Sequence, residues 1–147
     1  MNKKTIVIGG DHASPLLKQQ IATIVQELGY DVIDVGTQGS ASVDYPEYGK
    51  KIALTIIRGE AEKGIAICGS GIGISIAANR YPEIRAALCH NKETAKLSRQ
   101  HNDANILVLG ARVVDQETAL TCVRTFLATE FEGGRHQRRV DMLTNLI

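Results

Sequence analysis

Residues 64–79 read Gly-Ile-Ala-Ile-Cys-Gly-Ser-Gly-Ile-Gly-Ile-Ser-Ile-Ala-Ala-Asn, and no other stretch of the chain narrows its fold so far. Gly64 to Ile67 is apolar without alternation, as a strand covered on both faces is, and Cys68 falls where that strand should end. Gly69, Gly71 and Gly73 then bare the main chain before a helix of small residues begins. Glycines at every second position take away the Cβ atoms that keep ligands off the backbone, so several N–H groups can point into one concavity at a helix start. An anion, or an oxygen becoming one, is stabilised there. Cys68 enters that positive field from the strand side, which favours its thiolate and lets the sulfur act as base or nucleophile. The same turn can also be purely structural.

Three well-known loop chemistries do not fit. A dinucleotide fingerprint needs glycine where Ile74 stands and an acidic residue after the next strand, where the chain reads Leu88-Cys89-His90. A P-loop needs a lysine after its glycines, and none follows. A cysteine-phosphatase loop needs arginine six positions past the cysteine, which is again Ile74.

Around this stretch, strands and helices alternate. Apolar runs at 5–9, 31–35, 85–88 and 106–109 read as further strands. A helix starting at Ser14-Pro15 carries Leu17, Ile21, Ile24, Val25 and Leu28 on one stripe, and one that follows Asp44-Tyr45-Pro46 and runs to about Gly59 carries Ile52, Ala53, Ile56 and Ile57. Residues 91–101 form a polar helix with Ala95 and Leu97 inward. Asp115 caps another, with Ala119, Val123, Phe126 and Leu127 inward, and a last helix begins after Gly133-Gly134. This rhythm predicts βαβ units: an α/β/α sandwich of about five parallel strands between two helical layers, plus a C-terminal helix. Strand order is not readable from it.

At 147 residues the chain is expected to be a single domain, residues 1–147. A net charge of +1 with intermixed signs gives no field suited to nucleic acid or an anionic membrane. No apolar run is long enough for a membrane span or signal peptide, so a cytoplasmic protein is expected. Three scattered cysteines show neither a disulfide framework nor zinc spacing; Cys89 and Cys122 read as core thiols.

The remaining polar signals lie in loops and at helix ends. Asp11 and His12 follow the first strand, where open α/β sheets gather ligands. Asp11 serves there as a turn residue or in chemistry, and His12 is placed for a phosphate or hydroxyl. Tyr45 sits at the mouth of the loop 36–42, bordering a ligand or simply packing. His101 closes a polar helix end, as a solvated cap or as a functional group. Arg135 and Arg139 are four apart on one helix face, where a phosphate dianion or nearby Glu130 or Glu132 would relieve their repulsion.

Taken together, Gly10-Asp11-His12, Asp44-Tyr45-Pro46, Cys68-Gly-Ser-Gly-Ile-Gly73, Ser98-Arg-Gln-His101-Asn102 and Glu132-Gly-Gly-Arg135-His-Gln-Arg-Arg139 resemble the type B ribose-5-phosphate isomerases of the ribose/galactose isomerase family. The resemblance spans nearly the whole chain. It implies a Rossmann-like sandwich that needs no metal or other cofactor. It also implies a homodimer or dimer of dimers whose sites draw residues from both subunits, acting on a phosphorylated sugar.

By the same resemblance, His101 assists opening of the sugar ring, with Asp11 as an aid. Cys68 then moves a proton between C2 and C1 through a cis-enediolate. Some relatives place a glutamate where this chain has Ile74, so the cysteine branch is expected. The enediolate would be met by main-chain N–H groups of Gly69, Gly71, Ile72 and Gly73 and by Asn102, while Ser70, often threonine in that branch, shuttles protons between the two oxygens. His12, Arg112, Arg135 and Arg139 match the phosphate grip, and Tyr45 borders the site. Hexose 6-phosphates of galactose or allose are the alternative substrates, and a non-catalytic sugar-phosphate or nucleotide-binding module the alternative class. His90, His136 and Arg138 receive no role.

Overall fold

The computed structural model describes residues 4–37, 39 and 41–146. Of the loop expected at 36–42, Gln38 and Ser40 lie outside the described residues. The strands are β1 (Thr5–Gly10), β2 (Asp31–Asp34), β3 (Lys63–Cys68), β4 (Ala86–Leu88) and β5 (Ile106–Gly110). The helices are α1 (Pro15–Glu27), α2 (Tyr45–Ile57), α3 (Ile72–Ala78), α4 (Lys92–Asn102), α5 (Gln116–Ala128) and α6 (Arg135–Thr144). No helix of the described residues is long and apolar enough to cross a membrane.

All four strand pairings are parallel, in the order β2-β1-β3-β5-β4. Alternate side chains of the central strands feed two cores, which is why these strands read as unbroken apolar runs. Ile6, Ile8, Ile65, Ile67, Leu107 and Leu109 pack with Ile21 and Val25 of α1, Ala95 of α4 and Val123 and Phe126 of α5. Val7, Ala66, Cys68, Ile106 and Val108 face the other way, with Ile52 and Ala53 of α2 and Ile74 and Ala78 of α3. The chain reverses direction across the sheet between β1 and β3. Open parallel sheets hold their ligands in the crevice outside such a point, at the carboxyl ends of the strands. Gly10-Asp11-His12 and Cys68-Gly69-Ser70 flank it from either side.

Several local expectations change. Ser14 occupies the N-cap of α1 but does not accept a helix N–H; its Oγ donates to the Asp11 carbonyl at 2.9 Å, tying the loop after β1 to the helix. Leu28 ends α1 exposed, because the chain has already turned away from the sheet toward Gly29. On α4 the buried face is Ala95, Ser98 and Arg99, with Leu97 only half-buried. Asp115 does cap α5, its carboxylate accepting the Thr118 N–H at 2.7 Å.

Two ion pairs, each with a buried cation and a partly exposed carboxylate, hold the ends of the sheet and are invisible in the sequence. Lys18 of α1, 3% exposed, reaches both oxygens of Asp34 at 2.7 and 2.8 Å, and Asp34 also accepts the Gly36 N–H. Gly36 in turn accepts the Gly10 N–H at 2.7 Å, so the pair braces the loop that presents Asp11 and His12. At the other end, Arg99 donates to Asp103 at 2.8 Å and to the carbonyls of Ala104 and Thr129, pinning the last turn of α4 to the start of β5.

Candidate active site in two halves

The first half is made by main chain at the carboxyl ends of β1, β3 and β5. β3 ends at Cys68, and Gly71, at φ +81°, turns the chain back into α3. A Cβ at Gly71 would stand 2.5 Å from Leu88 Cδ1 and 3.1 Å from the Gly110 nitrogen, so only glycine lets the turn settle against β5. The turn aims the Gly71 N–H at Cys68 Sγ, 3.1 Å away. Such a bond strengthens when the sulfur carries charge. Cys68 is 4% exposed, deeper than its expected role suggested, with apolar neighbours below and the glycine loop above. The Ile72 N–H donates to Ser70 Oγ at 3.1 Å. Gly71 and Ile72, both expected as ligand donors, are therefore engaged inside the loop. Among the described residues, no acceptor faces the N–H groups of Ser70 and Gly73, and these remain for a ligand.

Four expected side chains ring this loop. The Tyr45 ring lies directly over Gly73, whose absent Cβ would meet it at 2.5 Å. The Arg112 guanidinium covers Gly69, and the Arg112 N–H donates to the Gly69 carbonyl at 2.9 Å. His12 accepts the Val43 N–H on Nδ1 at 3.2 Å, which leaves the proton of its neutral ring on Nε2, ready to donate. Asp11 is buried and accepts the Ala13 N–H at 2.9 Å, so it does build the turn; that role and chemistry are compatible for a two-oxygen group. Ile74 is fully buried against α2, so no carboxylate stands near the sulfur from that position.

The second half lies at the opposite edge of the sheet. His101 and Asn102 close α4, which leads into the amino end of β5, where Ile106 pairs with Gly64. Cys68 pairs with Gly110 at the far end, about 13 Å along the strand at ~3.3 Å per residue. His101, Asn102 and Arg139 line a cavity of about 310 Å³ with His136, Val140 and Leu143. Arg135 is exposed on the same helix, and neither it nor Arg139 is in an ion pair with a described residue. Glu130 and Glu132 do not neutralise them. Glu132 instead faces two histidines, its Oε1 lying 4.0 Å from His101 Nε2 and 3.6 Å from His136 Nε2.

The predicted residues thus form two groups within one chain: Asp11, His12, Tyr45, Cys68, Ser70 and Arg112 at one edge, and His101, Asn102, Arg135 and Arg139 at the other. Sequence reasoning missed His136, although it sits between the two singled-out arginines. Its ring stacks on that of His101 with centroids 4.3 Å apart and planes inclined 16°. Three metal-ligating atoms, from His101, Glu132 and His136, lie within 4.8 Å of one another. Parallel stacked imidazoles, however, send their in-plane Nε2 lone pairs side by side and not to a common point, so this arrangement suits a stack better than a chelate. Burial first, then the charges of His101, Arg135 and Arg139, lowers the pKa of His136, with Glu132 opposing.

An open parallel sheet whose central strand ends in a cysteine and a glycine loop beside its point of reversal defines an α/β protein built to hold a small anionic ligand at one sheet edge. The family can be stated more closely. Residues 6–143 match the model of the Ribose/Galactose Isomerase family, and the chain belongs to that family. It is 48% identical over 141 residues to ribose-5-phosphate isomerase B of Escherichia coli (strain K12), covering 96% of this chain and 95% of that protein. Among solved structures, it superposes on ribose-5-phosphate isomerase B of Clostridium thermocellum with a TM-score of 0.95 at 53% identity, covering 97% and 96% of the two chains. The type B ribose 5-phosphate isomerase of Trypanosoma brucei gives a TM-score of 0.96 at 40% identity, covering 99% and 100%.

Proposed function

We propose that this chain, as one catalytic domain, is an aldose–ketose isomerase that interconverts D-ribose 5-phosphate and D-ribulose 5-phosphate, working as a homodimer. The observation that carries the reading is the Gly71 N–H directed at Cys68 Sγ, 3.1 Å away, at the carboxyl end of the central strand. A sulfur that accepts a main-chain N–H there, with water largely excluded, is placed to take a proton from the carbon next to a carbonyl. The relatives, ribose-5-phosphate isomerases B, supply the substrate class.

The steps follow from the two groups of residues. His101 moves the proton between the anomeric hydroxyl and the ring oxygen, opening the furanose. Cys68 removes the C2 proton of the resulting aldehyde, and the electrons pass to O1 as a cis-enediolate. The open N–H groups of the loop, joined by Asn102, meet that charge; one preorganised donor of this kind contributes ~3 kcal/mol. Ser70, whose oxygen already accepts from Ile72, keeps its own hydrogen free to pass between O1 and O2. Cys68 then returns its proton to C1. His12 and Arg112 hold the phosphate from the loop side and Arg135 and Arg139 from the other.

The two halves lie at opposite ends of the central strands, about 13 Å apart along β5 at ~3.3 Å per residue, and one chain does not bring His101 to Cys68. A two-fold axis that brings the His101 edge of one copy to the Cys68 edge of the other makes two complete sites. Apolar side chains left exposed beside each half, Ile72 and Ile76 on α3 and Met142 and Leu143 on α6, are consistent with such a surface.

Mixing inactive Cys68→Ala and His101→Asn subunits tests both claims. Random exchange places one intact site in half of the dimers, so activity on ribose 5-phosphate should return to about a quarter of wild type. Failure to recover any activity would reject the shared site. Wild type that turns over six-carbon but not five-carbon phosphosugars, or only in the absence of a chelator, would reject the substrate or the scheme.

A further inference from the structure

His101 has no hydrogen-bond, charged or ring partner among the described residues other than His136 and Glu132. Its side chain is 38% exposed, at the last turn of a helix, where an imidazole is ordinarily free to change rotamer. His136, by contrast, is 8% exposed, and its helix packs on α4. The two rings overlap at 4.3 Å and 16°, close to the offset stacking of aromatic pairs. The segments that carry them are pinned together by the Glu132 N–H, which donates to the Gln100 carbonyl at 3.1 Å.

We infer that His136 is a positioning residue for ring opening: its buried imidazole is the floor on which the His101 ring is held at the angle that proton transfer to the sugar requires. This rests on the isomerase reading above and extends it to a residue that the steps above leave unused. The electrostatics agree with the assignment. Two imidazoliums stacked at this distance repel, and burial together with Arg135 and Arg139 already disfavours charge on His136. The neutral form of His136 is thus favoured, and it presents a flat aromatic face to the His101 ring. Glu132 faces both Nε2 atoms, 3.6 Å from that of His136 and 4.0 Å from that of His101.

Two reactions separate this role from the rest of the site. Turnover of ribose 5-phosphate requires ring opening. Exchange of the C1 hydrogen of ribulose 5-phosphate with D2O, followed by NMR, does not, because a ketose whose O5 carries phosphate has no furanose to open. His136→Ala and His136→Gln should lower kcat on ribose 5-phosphate about tenfold or more, as small misplacements of a catalytic group do. KM and the C1 exchange rate should stay within about twofold of wild type. His136→Phe, which keeps a flat ring in place, should recover most of kcat. If His136→Ala does not fold, the Phe and Gln variants decide the matter by themselves. Equal loss of turnover and exchange, a raised KM with unchanged kcat, or a Phe variant no better than Gln would overturn the inference. Wild type lacking both turnover and exchange would instead sink the isomerase reading, which keeps the two failures apart.

Discussion

The two edges of the sheet are built by different means. At the carboxyl edge, groups are placed by backbone: Gly71 at φ +81° aims its N–H at the sulfur, Ser70 and Ile72 close a small turn, and a lysine–aspartate pair braces the loop of Asp11 and His12. At the amino edge, the groups are exposed side chains on two helix termini, held by a ring stack and by Arg99 beneath them. Proton abstraction from carbon needs the first kind of precision, since the base must meet one hydrogen in a site that excludes water. Grasping a mobile phosphate tolerates the second kind, and the one ring at this edge that must be aimed, that of His101, is the one the stack holds.

If this division is right, the largest effects come from the carboxyl edge. Cys68→Ala removes the base and should lower both turnover and C1 exchange by about 10³-fold or more, with affinity for the phosphosugar nearly kept. Unchanged exchange would remove Cys68 from the chemistry. Gly71→Ala keeps every reacting side chain but forces a Cβ toward Leu88 and a residue into left-handed φ, a strain of ~1–3 kcal/mol. Displacing the N–H from the sulfur should cost about 10- to 100-fold in kcat. A Gly71→Ala enzyme with normal kcat would mean that the turn only connects β3 to α3. Smaller still, Arg139→Ala at the amino edge should raise KM some tenfold or more through a lost charge-assisted contact, while kcat changes less. Were kcat to fall with KM unmoved, the two edges would not divide the work as described.

Much of the carboxyl edge was legible in the sequence because its signals are local. An unbroken apolar run marks a strand buried on both faces, and alternating glycines mark a turn whatever the rest of the chain does. The helices and strands followed from period, with departures where an end turns away from the sheet, as at Leu28, and where a polar contact displaces an expected apolar one, as on α4, whose buried face is Ala95, Ser98 and Arg99 while Leu97 is only half-buried. Strand order was not legible, because the period of a strand does not say which strand it pairs with. The separation of His101 from Cys68 does not depend on that order: in a parallel sheet a residue that follows a strand and one that precedes the next strand reach opposite ends. The charged residues that lie inside, Lys18 and Arg99, were hidden for a similar reason: each is buried because its partners complete it, Asp34 and Asp103 with the Ala104 and Thr129 carbonyls. The His101–His136 stack joins residues 35 apart through a turn whose direction no short motif encodes.

The three cysteines sharpen the comparison from below, since only one belongs to an edge. Cys89 and Cys122 are buried in the core under α4 and α5, and burial raises both thiols, Cys122 to about 11 with Cys89 adding to the effect. In the unfolded chain Cys122 loses its proton near its ordinary value of 9.0, whereas the folded protein keeps it until about 11. Between those values the native state binds more protons than the unfolded one, so stability falls as pH rises. The contribution is whole below pH 9 and gone above pH 11. Urea midpoints should therefore drop between pH 8 and pH 10.5, and the drop should be shallower in Cys122→Ala, which starts from a lower midpoint because of the cavity. Isomerase activity measured at pH 8 should be the same in that variant as in wild type, since Cys122 touches neither edge. An equally steep pH dependence in both proteins would mean that other groups, and not this thiol, govern alkaline unfolding.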